Sequence, residues 1–270
     1  MINRIIELLS ERGISVSAPI SLKNCIITRK YKLEKAGFSD IDGLSAVVFA
    51  IPYLTPQSDG NISSYAIPRD YHAFSKQLFA DVLPYLEREF PCHRFVGFAD
   101  DSPIDERHAA ARAGLGMIGK NQMLITEKYS SFVFLGEIIT DIPFKGDVCE
   151  IKSCCGCGAC LRACPMTEIG ECLSSLTQKK GELTEYEREI IKKYGSAWGC
   201  DICQEVCPHT AEAKQADTIY TEIEFFKNDT IPYLTSEIVD MMTDEEFAAR
   251  AYSWRGRRTI VRNLEILEKK

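Results

Sequence analysis

The sequence has no hydrophobic run long enough to span a membrane. Its longest apolar stretch, residues 44–54, contains Pro52 and is well short of the roughly 18 residues of a membrane helix. A secretory signal is also missing, because charged side chains recur among the isoleucines and leucines of residues 1–13. This second absence argues against a disulfide-forming compartment. We therefore expect a soluble, cytoplasmic protein with no membrane partner.

An excess of positive charge is missing as well. The chain carries 39 acidic and 32 basic residues, a formal charge of −7, which argues against a nonspecific coat on nucleic acid. Residues 250–270 differ, since seven basic residues against two acidic ones give a local charge of +5. Tyr252 and Trp254 lie among these arginines and would suit stacking on bases. A basic helix that packs on the protein itself is the alternative interpretation.

Cysteine, in contrast, is abundant. Nine of the 12 cysteines lie within residues 154–207, and eight of these form two runs whose spacing is typical of proteins that hold two four-iron, four-sulfur clusters. Each run ends in a cysteine followed by proline. The runs are Cys154-x2-Cys157-x2-Cys160-x3-Cys164-Pro165, and Cys172 followed by Cys200-x2-Cys203-x3-Cys207-Pro208.

The cysteine before each proline is expected to bind the cluster of the opposite run. Three closely spaced thiolates reach three corners of one cube, and the fourth points toward the neighbouring cluster. Such clusters make the chain a redox protein. The predicted ligands of the first cluster are Cys154, Cys157, Cys160 and Cys207. Those of the second cluster are Cys164, Cys172, Cys200 and Cys203.

Zinc and disulfides are the alternatives for these cysteines. A structural zinc site is usually built from separated pairs of ligands that complete one tetrahedron, whereas a triple CxxCxxC run groups its ligands differently. Disulfides require an oxidising compartment, which the start of the chain does not indicate. The cluster interpretation is therefore favoured.

The chain is long enough for two domains. The cysteine region is too small to account for 270 residues of which 45% are hydrophobic. We predict an α+β domain over residues 1–145, a ferredoxin-like domain over 146–215 and a helical extension with a basic tail over 216–270. The junction is expected within 141–153, where periodicity is lost and proline, glycine and charges accumulate.

Hydrophobic periodicity predicts alternating helices and strands in the first domain. Helices are expected over 2–12 and over 70–90, where an apolar residue recurs at every fourth position and Pro84 introduces a kink. A third helix is expected to begin at Ser102 and to end at Gly114. The predicted strands are residues 46–51, in the middle of the sheet, 94–99, 122–126 and 132–139.

The segment Gly114-Leu-Gly116-Met-Ile-Gly119 matches a dinucleotide-binding motif, but its context does not. That motif follows a strand and opens a helix, so that the helix N-terminus meets the pyrophosphate. Here a predicted helix precedes the glycines and a predicted strand follows them. We therefore interpret the segment as a tight loop that lets a bulky ligand approach the main chain, with Lys120 and Asn121 as donors.

Several segments resemble the epoxyqueuosine reductase family. The similarity extends from about residue 44 to 210 and resumes at 254–263. The cysteine region is similar to the family in residue identity as well as in spacing, at 172–177 and 199–208. In the first domain the resemblance rests on Ser64-Tyr-Ala-Ile-Pro-Arg-Asp-Tyr-His72, Phe98-Ala-Asp100, Glu106-Arg107, Ala113-Gly-Leu-Gly-Met-Ile-Gly-Lys-Asn121 and Phe132-Val-Phe-Leu-Gly-Glu137.

This resemblance implies a cobalamin-dependent reductase that removes the epoxide oxygen from a modified base in the tRNA anticodon loop. In that family an α+β domain holds the corrin, and a ferredoxin-like domain passes electrons to its cobalt; the donor is expected to be a ferredoxin, a flavodoxin or a similar protein. Asp100 matches the family's proton donor, and an apolar wall is expected to raise its pKa and keep it protonated. The positions expected near the corrin are Tyr65, Arg69, Lys120, Asn121, Leu124 and Gly199.

The histidine of Asp70-Tyr71-His72 is not expected to bind cobalt. A cobalt-ligating signature of the form Asp-x-His-x-x-Gly would need glycine where this chain has Ser75. The resembling family binds its cofactor without such a histidine. His72 is therefore interpreted as a helix-surface or hydrogen-bonded core residue.

Two other functions remain open at this point. In one, the chain is a ferredoxin-type electron-transfer protein that serves a partner enzyme, without cobalamin or a substrate of its own. In the other, it binds tRNA through the basic tail and its clusters are structural. The family usually continues into helical repeats that help to grip tRNA, whereas this sequence stops at Lys270. A free nucleoside, another small molecule or a corrinoid carried by a partner is therefore a further candidate substrate.

Overall fold

The computed structural model describes residues 1–38, 40–56 and 60–269. The strands are β1 Val16–Ser21, β2 Ser45–Pro52, β3 Phe95–Phe98, β4 Met117–Ile118, β5 Leu124–Ile125 and β6 Val133–Thr140. One antiparallel sheet contains four of them in the order β1-β2-β6-β3, and β4 pairs with β5 in a separate hairpin.

Helices lie on both sides of this sheet and throughout the second half of the chain. Those of the first half are α1 Ile2–Ser10, α2 Lys30–Lys35, α3 Tyr71–Glu89 and α4 Glu106–Arg112. The others are α5 Ala159–Ala163, α6 Leu173–Thr177, α7 Glu185–Tyr194, α8 Ile202–Glu205, α9 Pro208–Gln215, α10 Glu224–Lys227, α11 Ser236–Met241, α12 Asp244–Ala248 and α13 Arg257–Glu268. None of the helices in the described parts is long and apolar enough to cross a lipid bilayer.

Strand β2 lies inside the sheet and is buried along its whole length. Val47, Phe49 and Ile51 belong to a core that also contains residues of α1 and α3. Ala46 and Val48 belong to a second core, which contains residues of α4. Because side chains alternate across a strand, an uninterrupted apolar run indicates a sheet that is covered on both faces. The predicted interior strand 46–51 is confirmed, and the fold is of the mixed α+β class.

Helices α1 and α3 correspond to the predicted helices 2–12 and 70–90. In α3 the predicted four-residue step is confirmed, since Leu78, Val82 and Leu86 are all buried against the sheet. Asp70 caps this helix, because its carboxylate accepts a hydrogen bond of 2.9 Å from the His72 N–H. Pro84 lies inside the helix, which continues to Glu89.

Helix α4 begins later than predicted. Its N-cap is Asp105, whose carboxylate accepts a hydrogen bond of 3.0 Å from the His108 N–H. Ser102, the predicted cap, instead donates from a buried position to the carboxylate of Glu137. The prediction was wrong because a serine before proline also suits a turn, and here the hydroxyl is needed by a buried carboxylate. The predicted end is confirmed, since Gly114 has φ of 84° just after the helix.

The three-glycine segment leads into the β4–β5 hairpin rather than into a helix. Met117 pairs with Ile125 and Ile118 pairs with Leu124, so that residues 119–123 form the connecting turn. Helix α4 precedes the segment. This order is the reverse of the strand-to-helix arrangement of a dinucleotide site, as the sequence predicted.

After the cysteine-rich region the chain returns to the first core. Ile219, Ile223 and Phe226 pack with residues of α1, α3 and β2. Helix α13 packs on α7 and α11, and its Ile266 joins the small core of α6 and α7. The segment 216–270 therefore contacts both the sheet layer and the cysteine-rich region.

The basic tail closes on the protein. Tyr252 is fully buried, with its ring centroid 6.3 Å from that of Trp198, so the idea that Tyr252 stacks on bases is wrong. An aromatic residue among arginines suits a core as well as an exposed surface, and here the core contact is made. Arg257 donates a hydrogen bond of 3.0 Å to the Met242 carbonyl oxygen. Trp254, in contrast, is 58% exposed.

Candidate functional site

The first predicted set of cysteines lines one cavity. Cys154, Cys157, Cys160 and Cys207 line a small cavity of about 20 Å³, together with residues of the β4–β5 turn. Cys207 comes from the second run of the sequence. The fold therefore places thiols of both runs around the same space.

The cysteines of the second set lie within electrostatic reach of one another. Burial raises the pKa of the Cys203 thiol to about 11, and the nearby Cys172 and Cys164 act in the same direction. Burial also raises the pKa of Cys200 to about 12, with Cys203 and Cys172 among the groups that oppose its ionisation. Thiols that oppose one another's ionisation suit a cationic metal centre, which favours the thiolate form.

A single metal ion does not fit these cysteines. Around zinc, four thiolates lie about 2.3 Å from the same ion. Within residues 1–38, 40–56 and 60–269, no three His, Cys, Asp or Glu side chains lie close enough together to share one ion. The ligands of a four-iron cube stand farther apart, because each thiolate binds a different iron. The chemistry and spacing of the donors therefore fit clusters better than zinc. All 12 cysteines are free in this structure.

Backbone hydrogen bonds join both cysteine runs to the first half of the chain. Cys154 N–H donates to the Ile118 carbonyl oxygen of β4 at 3.2 Å, at the start of the first run. Ser63 N–H donates to the Trp198 carbonyl oxygen at 2.7 Å, just before Cys200. Each run is therefore connected to the first half of the chain by a main-chain hydrogen bond close to its first closely spaced cysteines.

An open pocket of about 220 Å³ lies at the start of β6. We call it the Asp100 pocket. At the pocket the first three residues of β6 are only partly buried, whereas the last five residues of the strand are buried. Partly exposed apolar side chains in a cleft indicate a bound ligand. The polar wall consists of Tyr71, Asp100, Glu106, Arg107 and Ser131, and the apolar floor consists of Met123, Leu124, Val133, Phe134 and Leu135.

Asp100 is more exposed than the sequence predicted. Its side chain is 68% exposed, and its Oδ2 lies 3.6 Å from Nε2 of His72. The contact with His72 lowers the pKa of Asp100, which is the opposite of the predicted rise. The contacts with Asp100 and then Asp70 raise the pKa of His72 to about 10. The expectation of a buried, protonated Asp100 was wrong because the first turn of α3 supplies a cationic partner.

Among the carboxyl groups that line the pocket, Glu106 is the one whose pKa is raised. Burial raises its pKa to about 7, and the negative charge of Asp100 acts in the same direction. Glu106 Oε1 also accepts a hydrogen bond of 3.1 Å from the Asp100 N–H. This bond holds Asp100 in the left-handed region, at φ of 66°, which a residue other than glycine seldom adopts. Burial, and then the charge of Glu106, raise the pKa of the fully buried Glu137 well above its ordinary value.

Three of the predicted cofactor positions lie on the β4–β5 hairpin. Leu124 lines the Asp100 pocket, whereas Lys120 and Asn121 line the cavity of the first cysteine set. The Asn121 side chain also lies near the Cys203 thiol of the second set, where it lowers the pKa of that thiol against the larger effect of burial. The hairpin therefore contacts the pocket and both cysteine sets.

The other three predicted positions lie elsewhere. Tyr65 and Gly199 are neighbours, since a Cβ placed on Gly199 would meet Tyr65 Cε1 at 2.9 Å. The Tyr65 ring is 6.4 Å from that of Phe134 on the pocket floor. Arg69 places its guanidinium 4.5 Å above the Phe225 ring. Leu124 is thus the one predicted cofactor position among the residues that line the Asp100 pocket.

Tyr71 and Glu106 are pocket residues that sequence reasoning did not assign to the site. The Tyr71 ring stacks on Phe134, with centroids 3.9 Å apart and planes 8° apart. Both residues belong to segments that carry the family resemblance, and that was the available signal. Their burial depends on β6, which is distant in sequence from Tyr71, so periodicity did not reveal it.

Comparison with known proteins decides the family. The chain matches no protein-family model. It is similar to the epoxyqueuosine reductase of Listeria monocytogenes, with 35% identity over 208 residues that cover 73% of this chain and 54% of that protein. It is also similar to the epoxyqueuosine reductase of Gloeobacter violaceus, with 32% identity over 218 residues that cover 75% of this chain and 68% of that protein. This chain belongs to the epoxyqueuosine reductase family.

A solved structure agrees with this membership. The crystal structure of an epoxyqueuosine reductase with an epoxyqueuosine-modified tRNA-Tyr stem loop has a TM-score of 0.75 and 25% identity to this chain, over 98% of this chain and 80% of that one. The match therefore includes the Asp100 pocket and the cysteine region. The chain spans about half to two thirds of the length of the two curated epoxyqueuosine reductases.

Proposed function

We propose that this chain is an iron–sulfur oxidoreductase that passes electrons through two four-iron clusters to a bound cobalamin and so reduces epoxyqueuosine in tRNA or a related substrate. The observation that carries this proposal is the contact between the second cysteine set and the Asp100 pocket. Asn121 reaches Cys203 from the hairpin that lines the pocket. From the pocket itself, Ser131 donates a hydrogen bond of 3.0 Å to Gln204, the neighbour of Cys203. Electrons leaving the second cluster would thus arrive beside the pocket.

The proposed domains are an α+β domain over residues 1–145 that holds cobalamin and substrate, and a ferredoxin-like domain over 146–215 that holds the clusters. Residues 216–270 would join them, because this segment packs on both. In the ferredoxin-like domain the short helices α5 and α8, each of which carries a cysteine of its run, pack against each other. Such paired helices are consistent with two ligand runs folded around two clusters.

The clusters would form an electron path with an entrance and an exit. The proposed first cluster has Cys154, Cys157, Cys160 and Cys207 as ligands, and the second has Cys164, Cys172, Cys200 and Cys203. Cys157 is exposed, which suits entry of electrons from an external one-electron donor such as a ferredoxin or flavodoxin. The second cluster, beside the pocket, would be the exit.

The polarity of the pocket floor suits one face of a corrin. The floor is apolar and partly exposed, as required to cover the face of a broad macrocycle. Bound cobalamin would supply a reducing cobalt centre that accepts electrons one at a time. His72 is not available as a cobalt ligand, because Nδ1 lies 2.7 Å from Asp70 and Nε2 faces Asp100. The residues proposed to hold the corrin are Leu124 in the pocket and Tyr65, Arg69, Lys120, Asn121 and Gly199 around it.

Asp100 would serve as a proton donor together with His72. A carboxylate whose pKa is lowered does not hold a proton at neutral pH by itself, but the pair holds one on the imidazole. Asp100 lines the pocket and could pass this proton to the oxygen that leaves the substrate.

An exposed part of the basic tail would contact the tRNA. The guanidinium of Arg255 lies 3.7 Å above the Trp254 ring, and Trp254 is 58% exposed. The Arg258 side chain, nearby in sequence, is 91% exposed. An exposed aromatic ring beside arginines is suited to stacking on bases and to contacts with phosphates.

The direct test uses anaerobically purified protein with added cobalamin, a chemical or ferredoxin reductant, and an epoxyqueuosine-modified stem loop. We expect corrin absorption bands that shift on binding, conversion of the stem loop, and loss of conversion in Asp100→Asn. Cluster reduction without corrin uptake would instead support the electron-transfer alternative. For RNA contact, Arg258→Ala should weaken stem-loop binding and flatten its salt dependence, while Arg88→Ala, on the exposed face of α3, should not.

A further inference from the structure

Asp100 and Glu106 line the Asp100 pocket, and each has a titratable neighbour beside it. His72 and Asp100 form one pair at the exposed rim. Glu106 and Glu137 form the other, which is more buried: Glu137 is fully buried on β6, and Glu106 is partly buried at the start of α4. Asp100 N–H, which donates to Glu106, links the two pairs.

The surroundings of Glu106 and Glu137 disfavour ionisation of both carboxyl groups. Ser102 donates to one carboxylate oxygen of Glu137, while the other oxygen, Oε2, has no hydrogen-bond partner among the described residues. A fully buried carboxylate with an unpaired oxygen is costly when ionised. Ionisation of Glu106 makes it costlier still, because the two negative charges repel.

Few positive charges offset this repulsion. The charged groups that interact with Glu106 include Asp100 from the loop after β3, Asp105 from its own helix cap, Glu137 from β6 and Arg29 from the segment before α2. The Arg29 guanidinium already pairs with Asp101 at 2.5 Å. Arg107 also lines the pocket, but its guanidinium donates a hydrogen bond of 2.8 Å to the Gln122 carbonyl oxygen. Tyr71, from α3, remains neutral because burial raises the pKa of its hydroxyl.

We propose that Glu106 is the second proton donor of the pocket, whereas the His72–Asp100 pair supplies the first. This inference rests on the proposed function. Reduction of an epoxide to an alkene breaks two C–O bonds, forms a C=C bond and releases the oxygen as water, so it consumes two electrons and two protons. The external one-electron donor supplies the electrons through the clusters, and the His72–Asp100 pair and Glu106 supply one proton each.

The variant that tests this assignment is Glu106→Gln. Glutamine keeps the volume of the side chain and an oxygen that accepts the Asp100 N–H, but it carries no transferable proton. The wild-type rate should fall as pH rises above about 7. Glu106→Gln should be slower by about 100-fold and should lose this part of the pH profile, and Glu106→Asp should restore part of the rate. Glu87→Gln, on the exposed face of α3, should match the wild type.

A second measurement needs neither cobalamin nor substrate. Infrared difference spectra between about pH 5 and about pH 9 should show a protonated carboxyl band in the wild type that titrates near pH 7 and is missing in Glu106→Gln. If this band is missing from the wild type, the inference is wrong. Turnover by Glu106→Gln with an unchanged pH profile would also overturn it while leaving the proposed function intact. A wild type that binds no corrin and converts no stem loop would refute the proposed function, and the infrared band would still decide whether Glu106 holds the proton.

Discussion

Asp201 accepts a hydrogen bond of 2.6 Å from the hydroxyl of Ser63. The bond joins the loop between Cys200 and Cys203 to the segment that precedes α3. The same carboxylate accepts a second bond of 2.6 Å from the Ser64 N–H. Hydrogen bonds to a charged group contribute more to stability than neutral ones. The proposed second cluster is therefore attached to the pocket domain by a partly buried charged residue.

We predict that Asp201→Ala lowers the free energy of unfolding of the iron-loaded protein by about 2 kcal/mol, because the hydroxyl and the N–H lose their common acceptor. Asp201→Asn should lower the free energy of unfolding by less, since its amide oxygen can still accept one hydrogen bond. Denaturant unfolding of the three proteins under anaerobic conditions measures the difference. Equal stability of Asp201→Ala and the wild type would show that this anchor is unimportant.

The proposed exchange of ligands between the runs predicts an unexpected result for Cys164. Cys164→Ser should disturb the second cluster, although Cys164 belongs to the first run, and should leave the first cluster intact. Electron paramagnetic resonance of the reduced protein should therefore show the same altered signal in Cys164→Ser as in Cys203→Ser. Cys155→Ser, which changes an exposed cysteine outside both sets, is the control. If Cys164→Ser instead resembles Cys154→Ser, the ligands are not exchanged.

Gly199 is predicted to be indispensable for packing. It has φ of 72°, and a Cβ at this position would lie 2.4 Å from Ser63 Cβ and 2.9 Å from Tyr65 Cε1. Gly195→Ala is a matched control, because Gly195 has φ of 66° and no atom within 4 Å of the added carbon. Gly195→Ala should lower the free energy of unfolding by about 1 kcal/mol, because only the backbone conformation becomes unfavourable. Gly199→Ala should lower it by clearly more, because the added carbon also clashes with its neighbours. Thermal unfolding compares them, and equal costs would contradict the predicted clash.

The pairing of His72 with Asp100 and Asp70 predicts a pH dependence of stability. The pKa of His72 is raised from 6.5 to about 10. The pairing therefore stabilises the folded protein fully below pH 6.5, and this stabilisation is lost as pH rises through about 10. Because the pair is half-exposed, the contribution should be about 1 kcal/mol or less. His72→Gln should therefore be less stable than the wild type near neutral pH and equally stable at high pH. A difference that is constant with pH would contradict this.

Local patterns predicted the elements that depend on local properties. The fully apolar run of β2 and the four-residue step of α3 identify buried faces without knowledge of the fold. The start of α4 was misplaced because Ser102 satisfies Glu137, which lies on a distant strand. Cysteine spacing predicted two clusters, and the assignment of individual ligands stays a prediction.

Electrostatics of the site could not be predicted from the sequence, because a pKa depends on groups that only the fold brings together. Asp100 was expected to have a raised pKa, but the contact with His72 from α3 lowers it. The carboxyl group whose pKa burial raises is instead that of Glu106. Tyr252 was misjudged for a similar reason. Its neighbours in sequence are arginines, whereas its neighbours in space include Trp198 and Phe247.

The most direct test of the central claim is metal analysis of the anaerobically purified wild-type protein. Two four-iron clusters predict about eight irons per chain, an equal amount of acid-labile sulfide and no stoichiometric zinc. A protein that contains zinc, or no metal, after purification and anaerobic reconstitution with iron and sulfide would contradict the account, because no electron path would then lead to the Asp100 pocket.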